Sequence, residues 1–411
     1  MTETIARSKA QIISKFLYGI GVFVLIRIKG VIYIPALTYF LSKEQIGEIG
    51  FLNNLASLAV PLLLLNLPDS CNRLVLKFLD EGRTAQPVYN VISAVSLIAS
   101  ILMIVVFLSS FFWASKETIL LYAYLLLVAL ARTIQKLSMY KLQILQHSRE
   151  LVKYNFIVEY LPLPIIFLFL WWSYEDPLWP IGAAIFGVIV LFSRVEIRSW
   201  LRVNLSGFDF ALFKQLLKIS IFLMPALYAQ LFMQSSDLIF VKWLLGDAAA
   251  GDFVVANSLA ALLMVVSSGI GFFWYSSVKY ISAEVIRKLV IGMAFATPIL
   301  SGVTYYAMQW FVQLVQQFVW QEYALLELTP MLAMFYIQLA SVQILAGILY
   351  SHGRDGVILR GALITLSVNL ICGYLLITQY GLIGAGASSF IATSVLICYY
   401  LIKILAVKEA A

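Results

Sequence analysis

The sequence has little charge and little cysteine. Only 12% of its 411 residues are charged and 62% are hydrophobic, whereas a soluble domain is about 25% charged and about 45–50% apolar. This composition excludes a soluble globular protein and predicts an integral membrane protein whose chain lies almost entirely in the bilayer. The three cysteines are far apart, so their spacing indicates no metal or redox motif; they are Cys71, Cys372 and Cys398.

Motifs that carry enzyme chemistry are also missing. The sequence contains no G-x-x-x-x-G-K-[ST] phosphate loop, which predicts that the chain does not hydrolyse ATP. Its only two histidines, His147 and His352, lie in predicted loops beside Arg149 and Arg354. A solvated loop is the simple interpretation of each histidine, and pH sensing is the alternative. We therefore expect a protein that is not an enzyme and that has no cofactor.

Apolar segments follow one another along the chain with short loops between them. A helix needs roughly 20 apolar residues to cross a bilayer, and most of the segments reach this length. We therefore predict an all-α protein with about twelve transmembrane helices and no large extramembrane domain. The predicted segments run near 14–41, 47–72, 87–113, 119–145, 154–173, 179–201, 215–245, 252–278, 288–312, 323–350, 357–378 and 382–406.

The net charge of the chain is +7. Most of the basic residues lie in alternate predicted loops. They cluster before the first segment and in every second loop after it, whereas the intervening loops hold only Lys43, Lys116 and Lys242. Loops rich in lysine and arginine stay on the cytoplasmic side of a membrane. We therefore predict that both termini are cytoplasmic. The charge is a topology signal that also attracts anionic lipids, and it does not indicate binding to nucleic acid.

An internal repeat relates the two halves of the chain. With a shift of 204 residues, L-S-K-E-Q-I-G-E-I-G-F-L-N-N-L-A from Leu41 aligns with L-G-D-A-A-A-G-D-F-V-V-A-N-S-L-A from Leu245. Chance similarity between apolar helices is the alternative, but the glycine and asparagine matches argue against it. Parallel repeats of six spans form two bundles around an axis along the membrane normal. We predict an N-terminal bundle over residues 1–208 and a C-terminal bundle over residues 209–411 around a central cavity.

Three stretches resemble the multidrug/oligosaccharidyl-lipid/polysaccharide (MOP) exporter superfamily. The Leu-x-x-x-x-x-Gly turn after the first span of each half occurs from Leu41 and from Leu245. A Lys-x-Ser start followed by an intramembrane acid occurs from Lys218 to Asp237. The G-x-x-G-A-x-A pattern of the last two spans occurs at 381–387. Length and span number make the chain most similar to the polysaccharide branch, the Wzx-type flippases of O-antigen and repeat units.

The resemblance implies a flippase of the bacterial inner membrane. Its cargo would be an oligosaccharide repeat unit on undecaprenyl diphosphate, moved from the cytoplasmic to the periplasmic leaflet by alternating access. It further implies membrane lipids and a polysaccharide polymerase or chain-length complex as partners. Because no ATP site is present, the energy would come from a proton or sodium gradient or from the gradient of the lipid carrier itself.

The cationic residues Arg27 and Lys29 lie near the middle of the first apolar segment. A cation at bilayer depth costs at least about 2.5–3.5 kcal/mol unless it faces a wet cavity or a partner. Arg binds phosphate through its planar fork and Lys through a point charge. We therefore predict that this pair binds the diphosphate of the cargo. A structural ion pair is the alternative for each residue.

The clearest acid within a span is Asp237, in the first segment of the second half. The shift of 204 residues aligns it with Tyr33, one turn from Lys29. We predict that Asp237 pairs with Arg27 or Lys29 and that cargo, a proton or a metal cation breaks this pair. A fixed buried ion pair is the alternative.

Further polar residues lie in or near the predicted spans. Asp69 and Arg73 share a helix face at the predicted cytoplasmic mouth and either admit the anionic head or form a salt bridge. Glu159 and Arg360 lie at comparable depth in related spans, where pairing or snorkelling is the simple interpretation. The repeat-related asparagines hold helices together or contact sugars; they are Asn53 and Asn257.

Two other functions remain open. A MATE-like antiporter of drugs or organic cations would use the same fold, but it would need an acidic, aromatic cavity, and the pair Arg27 and Lys29 argues against it. A membrane enzyme of polysaccharide assembly would need a large catalytic loop, and the predicted outer loops are short. Arg132 and Lys136 share a face of the fourth segment near the cytoplasm, where we expect them to anchor that helix.

Overall fold

The computed structural model describes residues 24, 28–30, 32–34, 36–70, 75, 78, 81, 86–144, 148–172, 177–194, 197, 198, 208–267 and 282–406. Regular secondary structure in these residues is entirely helical. The α-helices are, in chain order, α1 (Ile28–Phe40), α2 (Lys43–Leu63), α3 (Leu67–Ser70), α4 (Gln86–Ser110), α5 (Lys116–Ile144), α6 (Ser148–Tyr160), α7 (Pro162–Trp172), α8 (Leu178–Phe192), α9 (Phe210–Leu245), α10 (Asp247–Ala260), α11 (Ala283–Gln316), α12 (Leu325–Ser351), α13 (Asp355–Tyr380) and α14 (Leu382–Leu405).

Every predicted apolar segment overlaps at least one of these helices. Among the described residues, nine helical stretches are long and apolar enough to cross a membrane, or up to ten if the two parts of α9 form one span. The short apolar helices α1 and α8 lie in the first and sixth predicted segments. The predicted all-α fold with many membrane spans is therefore confirmed, and the chain is a multi-pass membrane protein.

The helices pack into two compact units. Unit 1 comprises Met1–Phe51 and Ala226–Ala411, and unit 2 comprises Leu52–Pro225. Unit 1 thus holds α1, the start of α2, the end of α9 and all of α10 to α14, while unit 2 holds the helices between. Both junctions fall inside helices. The halves 1–208 and 209–411 follow the internal repeat instead of these junctions, and they stay a prediction.

The core of unit 1 is built around α12, which is apolar and buried over most of its surface. Residues spaced three and four apart along it are almost completely inaccessible, as expected for a helix surrounded by others. The small side chains between them are buried as well, among them Ala333 and Ala340. The large buried side chains of α12 are Leu328, Leu332, Phe335, Leu339, Leu345 and Leu349.

Other helices leave one apolar face uncovered. In unit 2, α4 exposes Leu102 and Val106, and in unit 1, α11 exposes Phe295, Tyr306 and Trp310. A contiguous exposed face of this kind would be unfavourable in water and fits a lipid environment. The faces of α4 and α11 are therefore where we place the hydrocarbon of the bilayer.

Candidate functional site

Unit 1 buries an acid among neutral polar groups where α9, α13 and α14 meet. The Asp237 side chain is only 2% exposed. Its carboxylate accepts hydrogen bonds from the hydroxyl groups of Ser388, at 3.2 Å, and of Ser389. The amide of Asn369 donates to the same carboxylate at 3.4 Å and accepts a bond from the Ser236 hydroxyl at 2.6 Å. We call these residues the Asp237 cluster.

Close packing of the last two helices positions this cluster. Gly381 ends α13 with a φ of 62°, a conformation that favours glycine. A Cβ on Gly384 would overlap the carbonyl oxygen of Leu376, so only glycine allows α14 to start so close to α13. The G-x-x-G-A-x-A pattern noted in the sequence therefore brings Ser388 and Ser389 beside Asn369.

The predicted cation partner of Asp237 is not found in the described part of unit 1. There, the hydrogen bonds that Asp237 accepts all come from neutral groups. Arg27 lies outside the described residues. Lys29 is half-buried on α1, and its Nζ lies 5.7 Å from the ring centroid of Tyr33. The pairing of Asp237 with Arg27 or Lys29 therefore stays a prediction, as does a role of Lys29 in cargo binding.

Unit 2 buries a second acid, and this one has a cation. Glu159 on α6 is 4% exposed, and its Oε1 accepts from Nη1 of Arg132 at 2.8 Å and from Nε2 of Gln135 at 2.7 Å. Arg132 Nη1 also lies 2.6 Å from Oε1 of Gln135. Arg132 and Gln135 are three residues apart on α5 and so share the face that meets α6. We call these residues the Glu159 cluster.

The Glu159 cluster bears on two predictions. The Arg132 guanidinium binds the buried carboxylate of Glu159, and the expectation that Arg132 anchors its helix near the cytoplasm stays a prediction. Arg360, by contrast, is exposed near the start of α13, beside the exposed Leu363 and Ile364. Of the two interpretations for this pair of residues, pairing fits Glu159 and snorkelling fits Arg360.

The repeat-related asparagines make equivalent contacts. In unit 2, the Tyr124 hydroxyl donates to Oδ1 of Asn53 at 3.2 Å. In unit 1, the Tyr336 hydroxyl donates to Oδ1 of Asn257 at 2.6 Å. Each bond links the helix after the Leu-x-x-x-x-x-Gly turn, α2 or α10, to a long helix, α5 or α12. The asparagines therefore fit the interpretation that they hold helices together.

The remaining candidates add little to either cluster. Asp69 belongs to α3, but its side chain, Arg73 and His147 lie outside the described residues. His352 is exposed at the end of α12, where its Nδ1 lies 2.8 Å from the carbonyl oxygen of Ile348. This position fits the solvated-loop interpretation.

Several residues of the two clusters are absent from the sequence-based candidates. The acids Asp237 and Glu159 were found as charges inside apolar segments. Their neutral partners gave no such signal, since serine, asparagine and glutamine are ordinary in transmembrane helices. The one available sign was the position of two serines directly after the G-x-x-G-A-x-A pattern; the missed partners are Gln135, Asn369, Ser388 and Ser389.

Comparison with known proteins shows which fold this is. No family model and no curated sequence matches the chain. Among solved structures, an inward-facing MATE multidrug resistance transporter of the MOP superfamily matches with a TM-score of 0.65 and 13% identity, over 97% of this chain and 96% of that one. The lipid II flippase MurJ in an inward closed conformation matches with a TM-score of 0.66 and 14% identity, over 95% of this chain and 87% of that one.

A third structure is similar over its whole length. It is a MATE protein in complex with MaD3S, with a TM-score of 0.60 and 14% identity over 96% of this chain and 95% of that one. The chain has the fold that these MATE and MurJ structures share. The neighbours include a multidrug resistance transporter and a lipid II flippase, so this fold is common to proteins with different cargoes.

Proposed function

We propose that this protein is a flippase that moves an oligosaccharide on undecaprenyl diphosphate from the cytoplasmic to the periplasmic leaflet by alternating access. The observation that carries the proposal is the position of Lys29. The half-buried residue Lys29 lies on the apolar helix α1, between Ile28 and Ile32, which are exposed. An ammonium at such a position favours an anionic ligand. A diphosphate is the anionic part of this cargo.

The proposed path combines cations for the diphosphate with a separate coupling group. Arg27 and Lys29 would bind the phosphates, and Asp69 with Arg73 would admit the head group at the cytoplasmic mouth. Moving an unpaired diphosphate through hydrocarbon would cost many kcal/mol, so such cations lower the barrier directly. The proposal also places the protein in a bacterial inner membrane with both termini cytoplasmic, near a polysaccharide polymerase or chain-length complex.

The Asp237 cluster is the proposed coupling group. A carboxylate, two hydroxyls and a side-chain amide meet at one buried point. Oxygen atoms of these types are ligands that hard cations prefer, and a carboxylate can take up a proton instead. A proton or a sodium ion bound there would balance the charge of Asp237 and drive the transport cycle.

The direct test is rescue of a strain that lacks its repeat-unit flippase. We expect the wild-type chain to restore surface polysaccharide and Lys29→Glu to abolish rescue, because a carboxylate would repel the diphosphate. Lys29→Arg should retain rescue. Lys116→Met removes an exposed cation at the start of α5 and serves as the matched control, with full rescue expected. Normal rescue by Lys29→Glu, at wild-type protein levels in the membrane, would contradict the phosphate-binding role.

A MATE-like multidrug antiporter is the second candidate, because MATE transporters are among the structural neighbours. Expression in a drug-sensitive efflux mutant separates the two functions. A flippase should leave drug tolerance unchanged, while an antiporter should raise it and fail to restore surface polysaccharide.

A further inference from the structure

The two repeats touch each other through a pair of equivalent glycines. A Cβ on Gly47, in the first turns of α2, would overlap the carbonyl oxygen of Asp247. A Cβ on Gly251, in α10, would overlap the carbonyl oxygen of Lys43. The shift of 204 residues relates Gly47 to Gly251 and Lys43 to Asp247, so each helix makes the same contact on the other. The starts of α2 and α10 thus meet with the symmetry of the repeat.

An ion pair borders this contact and breaks its symmetry. The Lys43 Nζ lies 3.1 Å from Oδ1 of Asp252, and it also donates to the carbonyl oxygen of Glu322. The same Nζ lies 4.8 Å from the ring centroid of Tyr323. The side chains of Lys43 and Asp252 are 26% and 13% exposed. The pair is therefore screened less than a surface pair, but water can still reach it when it opens.

The loop between α11 and α12 completes the arrangement. Asp252 Oδ1 accepts the backbone N–H of Ala324 at 3.3 Å, and the indole N–H of Trp320 donates to the hydroxyl of Thr38 at 2.9 Å. Burial, with help from nearby carboxylates, raises the pKa of Tyr323 to about 12, so its ring stays uncharged beside the ammonium. Loop 317–324 of the second repeat is thus bound both to Lys43 and to the end of α1.

A second lysine near the contact does not have the same role. Lys242 forms its ion pair with Asp247, and both residues belong to the second repeat. Only a cation–π contact, 5.0 Å from its Nζ to the ring centroid of Phe51, reaches the first repeat. Among the described residues, the ion pair that joins the two repeats is therefore that of Lys43 and Asp252.

We propose that Lys43 is a latch that holds the two repeats together at this end of the molecule and that opens in each transport cycle. The proposal rests on the alternating access of the proposed function. The two backbones meet closely at Gly47 and Gly251, and the side chain of Val254 fills the space beside Gly50. Opening this end therefore means withdrawing one small side chain and parting the two backbones. The ammonium and the carboxylate both regain water when they part, which keeps the latch reversible. The predicted topology, in which the loop of Lys43 faces away from the cytoplasm, puts this end on the periplasmic side.

The test measures how accessible Ala250 is, because this residue is completely buried beside Gly47. Ala250→Cys is made in a chain whose three native cysteines are replaced by alanine. A membrane-impermeant maleimide is then applied to right-side-out and to inverted vesicles. We expect slow labelling in the parent and labelling about tenfold faster after Lys43→Met, the effect of losing hydrogen bonds to a charged group.

Three control variants sharpen the test. Lys43→Arg should keep labelling slow, and Lys116→Met, which removes an exposed lysine from the same predicted side, should leave it unchanged. Asp252→Asn should accelerate labelling by a smaller factor, because the amide oxygen can still accept from Ala324. This variant tests the latch by itself if Lys43→Met does not fold. Equal labelling rates in the parent and both latch variants would overturn the proposal.

The result does not depend on the identity of the cargo. Faster labelling in a chain that rescues no flippase mutant would support the latch and refute the flippase. Rescue by a chain with unchanged labelling would do the reverse. The vesicle orientation in which labelling rises reports the side of the membrane on which the latch lies.

Discussion

The two units each bury one acid inside a helix, and the two acids have different surroundings. Glu159 in unit 2 accepts from the guanidinium of Arg132, so its charge is balanced within the protein. Asp237 in unit 1 accepts, among the described residues, only from hydroxyl and amide groups. An ionised carboxylate without a cation is costly in a low dielectric. The Glu159 cluster is thus a balanced ion pair, and the Asp237 cluster is the one that we propose to exchange a proton or a cation.

The comparison is informative because other contacts are the same in both halves. The bonds from Tyr124 to Asn53 and from Tyr336 to Asn257 link equivalent helices. The two repeats therefore share these helix-to-helix contacts and differ in the surroundings of their buried acids. The comparison thus distinguishes the tyrosine–asparagine bonds, which link helices, from Asp237, the proposed coupling residue.

Removing the cation of the balanced ion pair should have the largest effect. Arg132→Met removes the guanidinium that binds the buried carboxylate of Glu159, and we expect the free energy of unfolding in detergent to fall by about 3–5 kcal/mol. The double variant Arg132→Met with Glu159→Gln should recover most of this loss, because it also removes the charge of Glu159. If the single and double variants are equally unstable, the ion pair is not what stabilises unit 2.

Neutralising the other acid should remove a response to ions and leave the fold intact. An ion that binds only the folded protein stabilises it by about 2.7 kcal/mol at a concentration of 100 times its Kd. We expect the melting temperature of the wild type to depend on sodium concentration or on pH, and Asp237→Asn to abolish that dependence. The asparagine can still bond Ser388 and Ser389 because their hydroxyls rotate.

The matched variant for this experiment is Glu159→Gln. It should lower stability and keep the ion response, since its carboxylate is already balanced. A response that survives Asp237→Asn and disappears in Glu159→Gln would reverse the roles of the two clusters.

The smallest effects are expected at the shared contacts. Tyr336→Phe and Tyr124→Phe each remove one hydroxyl and should each cost about 1 kcal/mol in the free energy of unfolding. The loss should be at least as large at Tyr336, because its bond of 2.6 Å is shorter than the 3.2 Å bond of Tyr124. Both variants should keep the ion response. If either tyrosine variant loses the ion response, the helix-to-helix contacts and the Asp237 cluster do not act separately.

Most of the fold could be predicted from the sequence, because apolar length and periodicity determine membrane spans directly. The repeat also identified Gly47 with Gly251 and Asn53 with Asn257 before any contact was known. The partners of the acids could not be predicted in the same way. Ser388 and Ser389 lie about 150 residues from Asp237, and one sequence does not state which helices are neighbours.

The shift that revealed the repeat could not reveal the neutral partners of Asp237. It aligned Asp237 with Tyr33 and so pointed to the cations of the first segment, whereas the described hydrogen-bond donors belong to α13 and α14. For a related reason, no partner of Arg132 could be predicted. Its depth could be estimated from the sequence, but the facing acid on α6 could not.

The buried helix α12 has a consequence for how the protein is made. Its 27 residues are apolar enough to enter the bilayer without help from another segment. In the finished protein, the same apolar surface faces other helices instead of lipid. Its hydrophobicity therefore serves first for insertion and later for packing, and the second step must replace lipid tails by neighbouring side chains. A polar substitution in the middle of α12 would consequently impair insertion by the translocon before it could impair packing of the folded protein.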